Sequence, residues 1–213
     1  MNNVTKILFF SVAMLGGLQS NCVFAKDSGE STKHSKSAPQ ELVERLMSEA
    51  LGIVSSDVTK EQFGEKIKKV ILETFSTEKI ARFMLGVHTK QIGKEDLSKF
   101  VESCVSAMIS FYSSKLYEYR NATFEVISVK KRSTDHYIVL TKVFKDGKKS
   151  EKNSLVIVWS VFITNGAPLV FDVLISGISM IQAQRGEISR RIKKNGIKKF
   201  LMDFIEENKP HDK

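Results

Sequence analysis

The sequence predicts an α+β fold, and three observations carry that prediction. Apolar residues recur at helical steps between Pro39 and Tyr119. The period becomes strand-like between Thr123 and Ile175, with turn signals at Asp146-Gly147 and Asn165-Gly166. After Gly177 the helical period returns. Helices grouped before and after a block of strands, rather than alternating with them, are the pattern of segregated α and β layers.

The first 25 residues stand apart. Lys6 gives a positive start, Ile7 to Leu18 is mostly apolar, and Val23-Phe24-Ala25 offers small or branched residues for cleavage after Ala25. Residues 1–25 therefore read as a secretory signal peptide, too short in its apolar run to span a membrane. Residues 26–38 are polar and Ser-rich, a flexible lead-in. Residues 39–208 form the expected single domain, and 209–213 a tail. In a chain of 213 residues this leaves one ordinary core.

Within that domain, Leu42, Val43, Leu46, Met47, Ala50, Leu51 and Val54 make one helical stripe after Pro39. A second helix is expected from Thr59 to Leu72. A third runs from Thr77 to Leu85, stopped by Gly86. The longest pattern, Lys94 to Tyr119, would run nearly 40 Å at ~1.5 Å per residue, so a break or bend is expected in it. Four strands follow as an antiparallel meander: Thr123 to Lys131, His136 to Phe144, Ser154 to Thr164 and Leu169 to Ile175. Helices from Met180 to Lys194 and from Ile197 onward close the chain.

The third strand is apolar on both sides. Leu155, Ile157, Trp159, Val161 and Ile163 lie on one face, and Val156, Val158 and Phe162 on the other. Both faces call for cover, either by helices on each or by helices on one and an apolar cavity on the other. In the cavity version the Trp159 face meets the cavity, with Trp159 near its mouth, and Val158 belongs to a packed layer.

The formal net charge is +9, and removal of the leader takes away Lys6 and no acid. Such a balance suits an anionic partner, and secretion weighs against nucleic acid. Cleavage also removes Cys22, leaving Cys104 on an apolar helical stripe with no disulfide available. No Gly-rich phosphate loop or dinucleotide fingerprint occurs. His34, His88, His136 and His211 lack metal-ligand spacing, so no metal is expected. Gly177-Ile178-Ser179 begins like a nucleophile elbow, but Ile181 stands where its second glycine belongs. An enzyme is not expected, and a hydrolase built on Ser179 is the weakest reading.

Two C-terminal features remain. Asp172 sits inside an apolar strand, with Arg185 one helical stretch beyond as its candidate ion-pair partner. From Arg185 to Lys199 there are seven cations against one acid, Glu187. This run is a solvated helix face, or a docking face using Arg190, Arg191 and Lys194 against an anionic membrane surface or an acidic partner.

The segments Lys79-Ile80-Ala81-Arg82-Phe83-Met84-Leu85-Gly86 and Phe171-Asp172-Val173-Leu174-Ile175-Ser176-Gly177-Ile178-Ser179-Met180-Ile181, with Arg185 after them, resemble the MlaC (toluene-tolerance) family of periplasmic phospholipid carriers. The resemblance extends from about Ser37 to Glu207. It departs at Val87-His88-Thr89, Pro168 and Ala183-Gln184, so the chain reads as a divergent member. The resemblance implies a helical layer on a mostly antiparallel sheet with an apolar lipid pocket between them. It implies no cofactor, only phospholipid as cargo, shuttled in the periplasm between an outer-membrane lipoprotein–porin complex and an inner-membrane ABC-transporter complex. The residues expected to meet lipid are Leu85, Cys104, Met108, Tyr112, Trp159, Val161, Phe171, Val173 and Met180. The competing reading is a secreted adaptor with a solid core, docking through its basic C-terminal helix.

Overall fold

The computed structural model describes residues 36–150 and 154–209. The expected signal peptide, most of the lead-in and the last four residues of the tail lie outside the described residues.

Helix α1 (Ala38–Ser55) starts with Pro39 in its first turn and buries Leu42, Val43, Leu46, Met47 and Val54. A proline costs nothing there, because the first N–H groups of a helix have no internal partner. Helix α2 (Lys60–Thr74) begins with a capping box in which Thr59 accepts from the Gln62 N–H and Gln62 accepts from the Thr59 N–H. Helix α3 (Thr77–Leu85) ends at Gly86, whose φ of 57° opens a 3-10 turn over Gly86–Gln91. Helix α4 (Lys94–Lys115) gives way to a 3-10 turn at Leu116–Tyr119, which places the expected break at the end of the long apolar pattern.

The strands are β1 (Thr123–Ser133), β2 (His136–Phe144), β3 (Ser154–Thr164), β4 (Ala167–Ile175) and β5 (Ile178–Ser179), paired antiparallel in the order β1-β2-β3-β4-β5. Asn165 and Gly166 both have positive φ, as a two-residue hairpin turn demands, so pairing resumes at Ala167 and not two residues later. The two-residue fifth strand was not expected. It arises because Ser176 and Gly177 also take positive φ (51° and 80°) and fold the chain back on the end of β4. Helices α5 (Met180–Asn195) and α6 (Ile197–Glu207) follow, separated by Gly196.

The sheet's inner face contributes Val139, Val143, Trp159, Val161, Val170 and Val173 to one core with the helical stripes. Among the described residues, its outer face is not covered by a second packed layer. Val156 is 43% exposed and Val158 only half-buried, so the expectation that Val158 lies in a packed core is corrected. At the β3–β4 pair the register slips between Ser160 and Val161, which leaves Phe171 as an unpaired bulge. Its ring meets Phe83 and Phe162 edge-on at 5.5 Å each.

Candidate functional site

A hollow of about 400 Å³ lies between α1, α2 and α4 on one side and β2, β3 and β4 on the other. Its helical wall includes Leu46, Leu51, Ile67, Ile71, Phe111 and Leu116. Its sheet wall is Val143, Leu155, Ile157, Trp159, Val173 and Ile175. The sheet residues recur at every second position because one face of each strand points inward. The helical residues recur at three and four for the same reason on a helix. A smaller hollow of about 60 Å³ lies against α3, α4 and α5, and includes Met84, Cys104, Met108, Phe171, Asp172 and Ile188. Phe75, Tyr112, Val173 and Met180 border both, forming a shared wall.

Most sequence-predicted lining residues fall here. Tyr112, Trp159, Val173 and Met180 border the larger hollow; Cys104, Met108 and Phe171 border the smaller. Leu85 and Val161 do not. Each is almost wholly buried, packed among core side chains away from both hollows. Val161 shares the inner face with Trp159, but it stands beside the bulge, where the strand is filled rather than open. Trp159 is in the wall and not at a wet mouth. It is 5% exposed, and its indole N–H donates to Thr141 Oγ1 at 2.9 Å, inside the protein. The sequence reading named no wall residue from α1 or α2, although their apolar stripes were plain. A stripe says that a face is buried, not whether the space opposite it is filled.

The polar groups at the smaller hollow are few. Asp172 accepts three hydrogen bonds: from the Val173 N–H (2.8 Å), the Ser179 hydroxyl (2.6 Å) and the Ile181 N–H (3.3 Å). The expected ion pair with Arg185 does not form among the described residues. Arg185 instead lies 4.6 Å over the Phe83 ring and against Gly86. The φ of Gly86 is in the left-handed region, which favours glycine, and a Cβ there would also press 3.1 Å from the end of the flexible Arg185 side chain. The Leu-Gly segment and the Asp-to-Arg segment thus meet through Arg185 and not through a carboxylate.

Tyr112 keeps some accessible surface because it faces the hollows, while protein encloses it on its other sides. Burial, with the Asp172 charge adding to it, pushes its phenol up to about 12. Burial alone pushes the Cys104 thiol upward, so it stays protonated and unreactive.

At the end of α4 the lining of the larger hollow reaches solvent. Glu118 is the one described lining residue that is both charged and exposed. Lys145, just beyond β2, donates to Glu118 Oε2 at 3.0 Å and stands 5.5 Å from the centre of the Tyr119 ring. The hydrogen bond to Glu118 is the main cause that raises the Lys145 ammonium above its ordinary value.

The basic C-terminal run is divided by its pairings. Arg191 donates from Nη1 and Nη2 to the two Glu207 carboxylate oxygens at 3.0 Å each and lies over Phe200, so it joins α5 to α6 and is not a free docking cation. Arg190 pairs with Glu187, and Lys199 with Asp203. Lys193, Lys194 and Lys198 are exposed at the α5–α6 corner with no ion-pair partner among the described residues. Also among the described residues, no group of three or more His, Cys, Asp or Glu is placed to hold a metal, and no helix is long and apolar enough to cross a membrane.

Fold and hollow together define a class: an α+β protein with an open apolar chamber between a helical layer and one face of an antiparallel sheet. The family model for the MlaC protein matches residues 40–205, and the chain belongs to that family. Among solved structures it is similar to a phospholipid-binding protein from Ralstonia solanacearum, determined in complex with a phospholipid. The TM-score is 0.69 at 16% identity, over 81% of this chain and 97% of that one, a likeness of fold. No curated protein matches the sequence.

Proposed function

We propose that this protein is a periplasmic phospholipid carrier that holds acyl chains in the larger hollow and performs no chemistry on them. The observation that carries the reading is a hollow of about 400 Å³ whose walls are almost entirely aliphatic and aromatic. Water needs two to four polar partners to settle in a cavity, and these walls do not offer them. Alkyl chains need none. Each CH₂ removed from water contributes ~0.8 kcal/mol. A bilayer offers nearly the same, so transfer between membrane and protein is close to balanced and needs no nucleotide. Strands of eleven residues, such as β3, run roughly 35 Å, longer than the ~15 Å of one leaflet's hydrocarbon.

In this reading Tyr112, Trp159, Val173 and Met180 touch the chains, and Cys104, Met108 and Phe171 line the smaller hollow. The expected leader delivers the chain to the periplasm. There it exchanges lipid between the outer-membrane lipoprotein–porin complex and the inner-membrane ABC-transporter complex that the family resemblance implies. The solid-core adaptor has no use for such a chamber. Native mass spectrometry of protein purified without detergent is expected to find bound phospholipid. Protein that is lipid-free, and takes up none from vesicles, overturns the reading.

A further inference from the structure

We propose that Met180, with Phe75, Tyr112 and Val173, sets the length of acyl chain the protein accepts. These side chains form the end wall of the larger hollow, and the smaller hollow on their other side is space that the wall withholds. The inference rests on the carrier reading and adds to it the class of cargo.

The wall stands away from solvent. Phe75 and Val173 are 8% and 6% exposed, while Glu118, which lines the same hollow, is exposed. Tyr112 precedes Glu118 by six residues, roughly 10 Å back along α4 and its 3-10 turn. A chain that enters where the lining reaches solvent therefore meets the wall with its methyl end.

Three members of the wall are fixed by their elements. Phe75 bridges to Val170 of the sheet. Val173 lies within β4, paired with Trp159. Tyr112 lies within α4, its ring edge-on to Phe111 at 5.3 Å. Met180 is the soft member, an unbranched and only partly buried side chain at the first position of α5. Truncating it opens the wall without removing a backbone hydrogen bond, and alanine suits a helix at least as well.

The smaller hollow holds about 60 Å³. A methylene fills about the space of a water molecule, ~30 Å³, so this is room for about two of them. A chain too long for the larger hollow leaves its surplus methylenes in water at the solvent end. Each one left there lowers retention against the bilayer about four-fold. The expected profile is level over the chain lengths that fit and falls steeply beyond them.

The test loads the full mature chain from vesicles of equimolar phosphatidylglycerols that differ only in chain length, in even-numbered steps. Native mass spectrometry reads the bound lipids, and a thermal melt checks each variant. Wild-type protein is expected to show a length limit. Met180→Ala joins the two hollows and should raise the limit by about two methylenes. Ala107 borders the smaller hollow and not the larger. Ala107→Val should therefore leave the wild-type limit in place and cancel the gain when combined with Met180→Ala. Met180→Phe thickens the wall and should lower the limit, and it decides the matter if Met180→Ala does not fold. A wild-type profile with no limit overturns the ruler and leaves the carrier standing. So does a limit that Met180→Ala or Met180→Phe leaves unmoved in folded protein, or a gain in Met180→Ala that survives Ala107→Val. A wild-type protein that loads none of the series overturns the carrier, and the ruler with it.

Discussion

The Ser179 hydroxyl donates to Asp172 Oδ2 at 2.6 Å, while the other carboxylate oxygen accepts the backbone N–H of Val173 and of Ile181. The acid therefore closes the entry to α5, where the helix dipole favours negative charge, and needs no arginine. Asp172→Ala should lower stability by about 1–3 kcal/mol, since it orphans buried donors. Arg185→Ala should cost less, losing the stack on Phe83. Urea unfolding of the two single variants and the double should give additive losses to within ~0.5 kcal/mol. A coupling energy well above that would restore the ion pair that the sequence suggested.

Arginine placed along β3 distinguishes chamber, core and outer face. Leu155 borders the hollow opposite Val143, two residues from Lys145. Leu155→Arg should fold and lose lipid, because the guanidinium can reach the opening. Val161→Arg buries a charge at a fully enclosed position and should cost several kcal/mol. Val158→Arg, on the half-exposed outer face, should alter the melting temperature little and leave lipid bound. Circular-dichroism melts beside lipid extraction check all three, and a destabilised Val158→Arg would mean that the outer face is covered in solution.

Alkaline pH tests Tyr112. Its phenol is held protonated up to about 12 in the folded chain, against the ordinary value of 10. The contribution is therefore fully present below pH 10 and is lost as pH rises from 10 toward 12. Urea midpoints measured from pH 8 to pH 11.5 should fall more steeply for wild type than for Tyr112→Phe. Parallel curves would place the hydroxyl in contact with water.

The α5–α6 corner predicts a salt-dependent exchange rate. Reversing Lys193, Lys194 and Lys198 to Glu should slow lipid exchange with anionic vesicles at low salt, and the difference should shrink as ions screen it. Arg191→Glu should instead destabilise the fold, because it sets two carboxylates against each other where Arg191 now holds Glu207. Exchange that is indifferent to the three lysines moves the docking surface elsewhere.

The sequence alone determined the order of the helices and of the first four strands, with most bounds within two residues, but not β5. Period and punctuation are local properties: Pro39, Gly86, Asn165-Gly166 and Gly177 each act through their own backbone. It also determined which residues of β3 share a face, since alternation is a matter of counting, but both faces are apolar and counting does not say which one meets the core. Tertiary structure decided the rest. A buried stripe looks the same in sequence whether it meets a side chain or a void, so only the spacing of α1, α2 and α4 from the sheet left Trp159 at a chamber and Val161 in a filled core. Partners of long polar side chains were likewise beyond the sequence. Asp172 turned to the start of α5, Arg185 to Phe83 and Gly86, and Arg191 to Glu207. Each of these choices depends on where a second element passes, and the bulge at Phe171 and the turn at Gly177 set that path through contacts that no single stretch of chain contains.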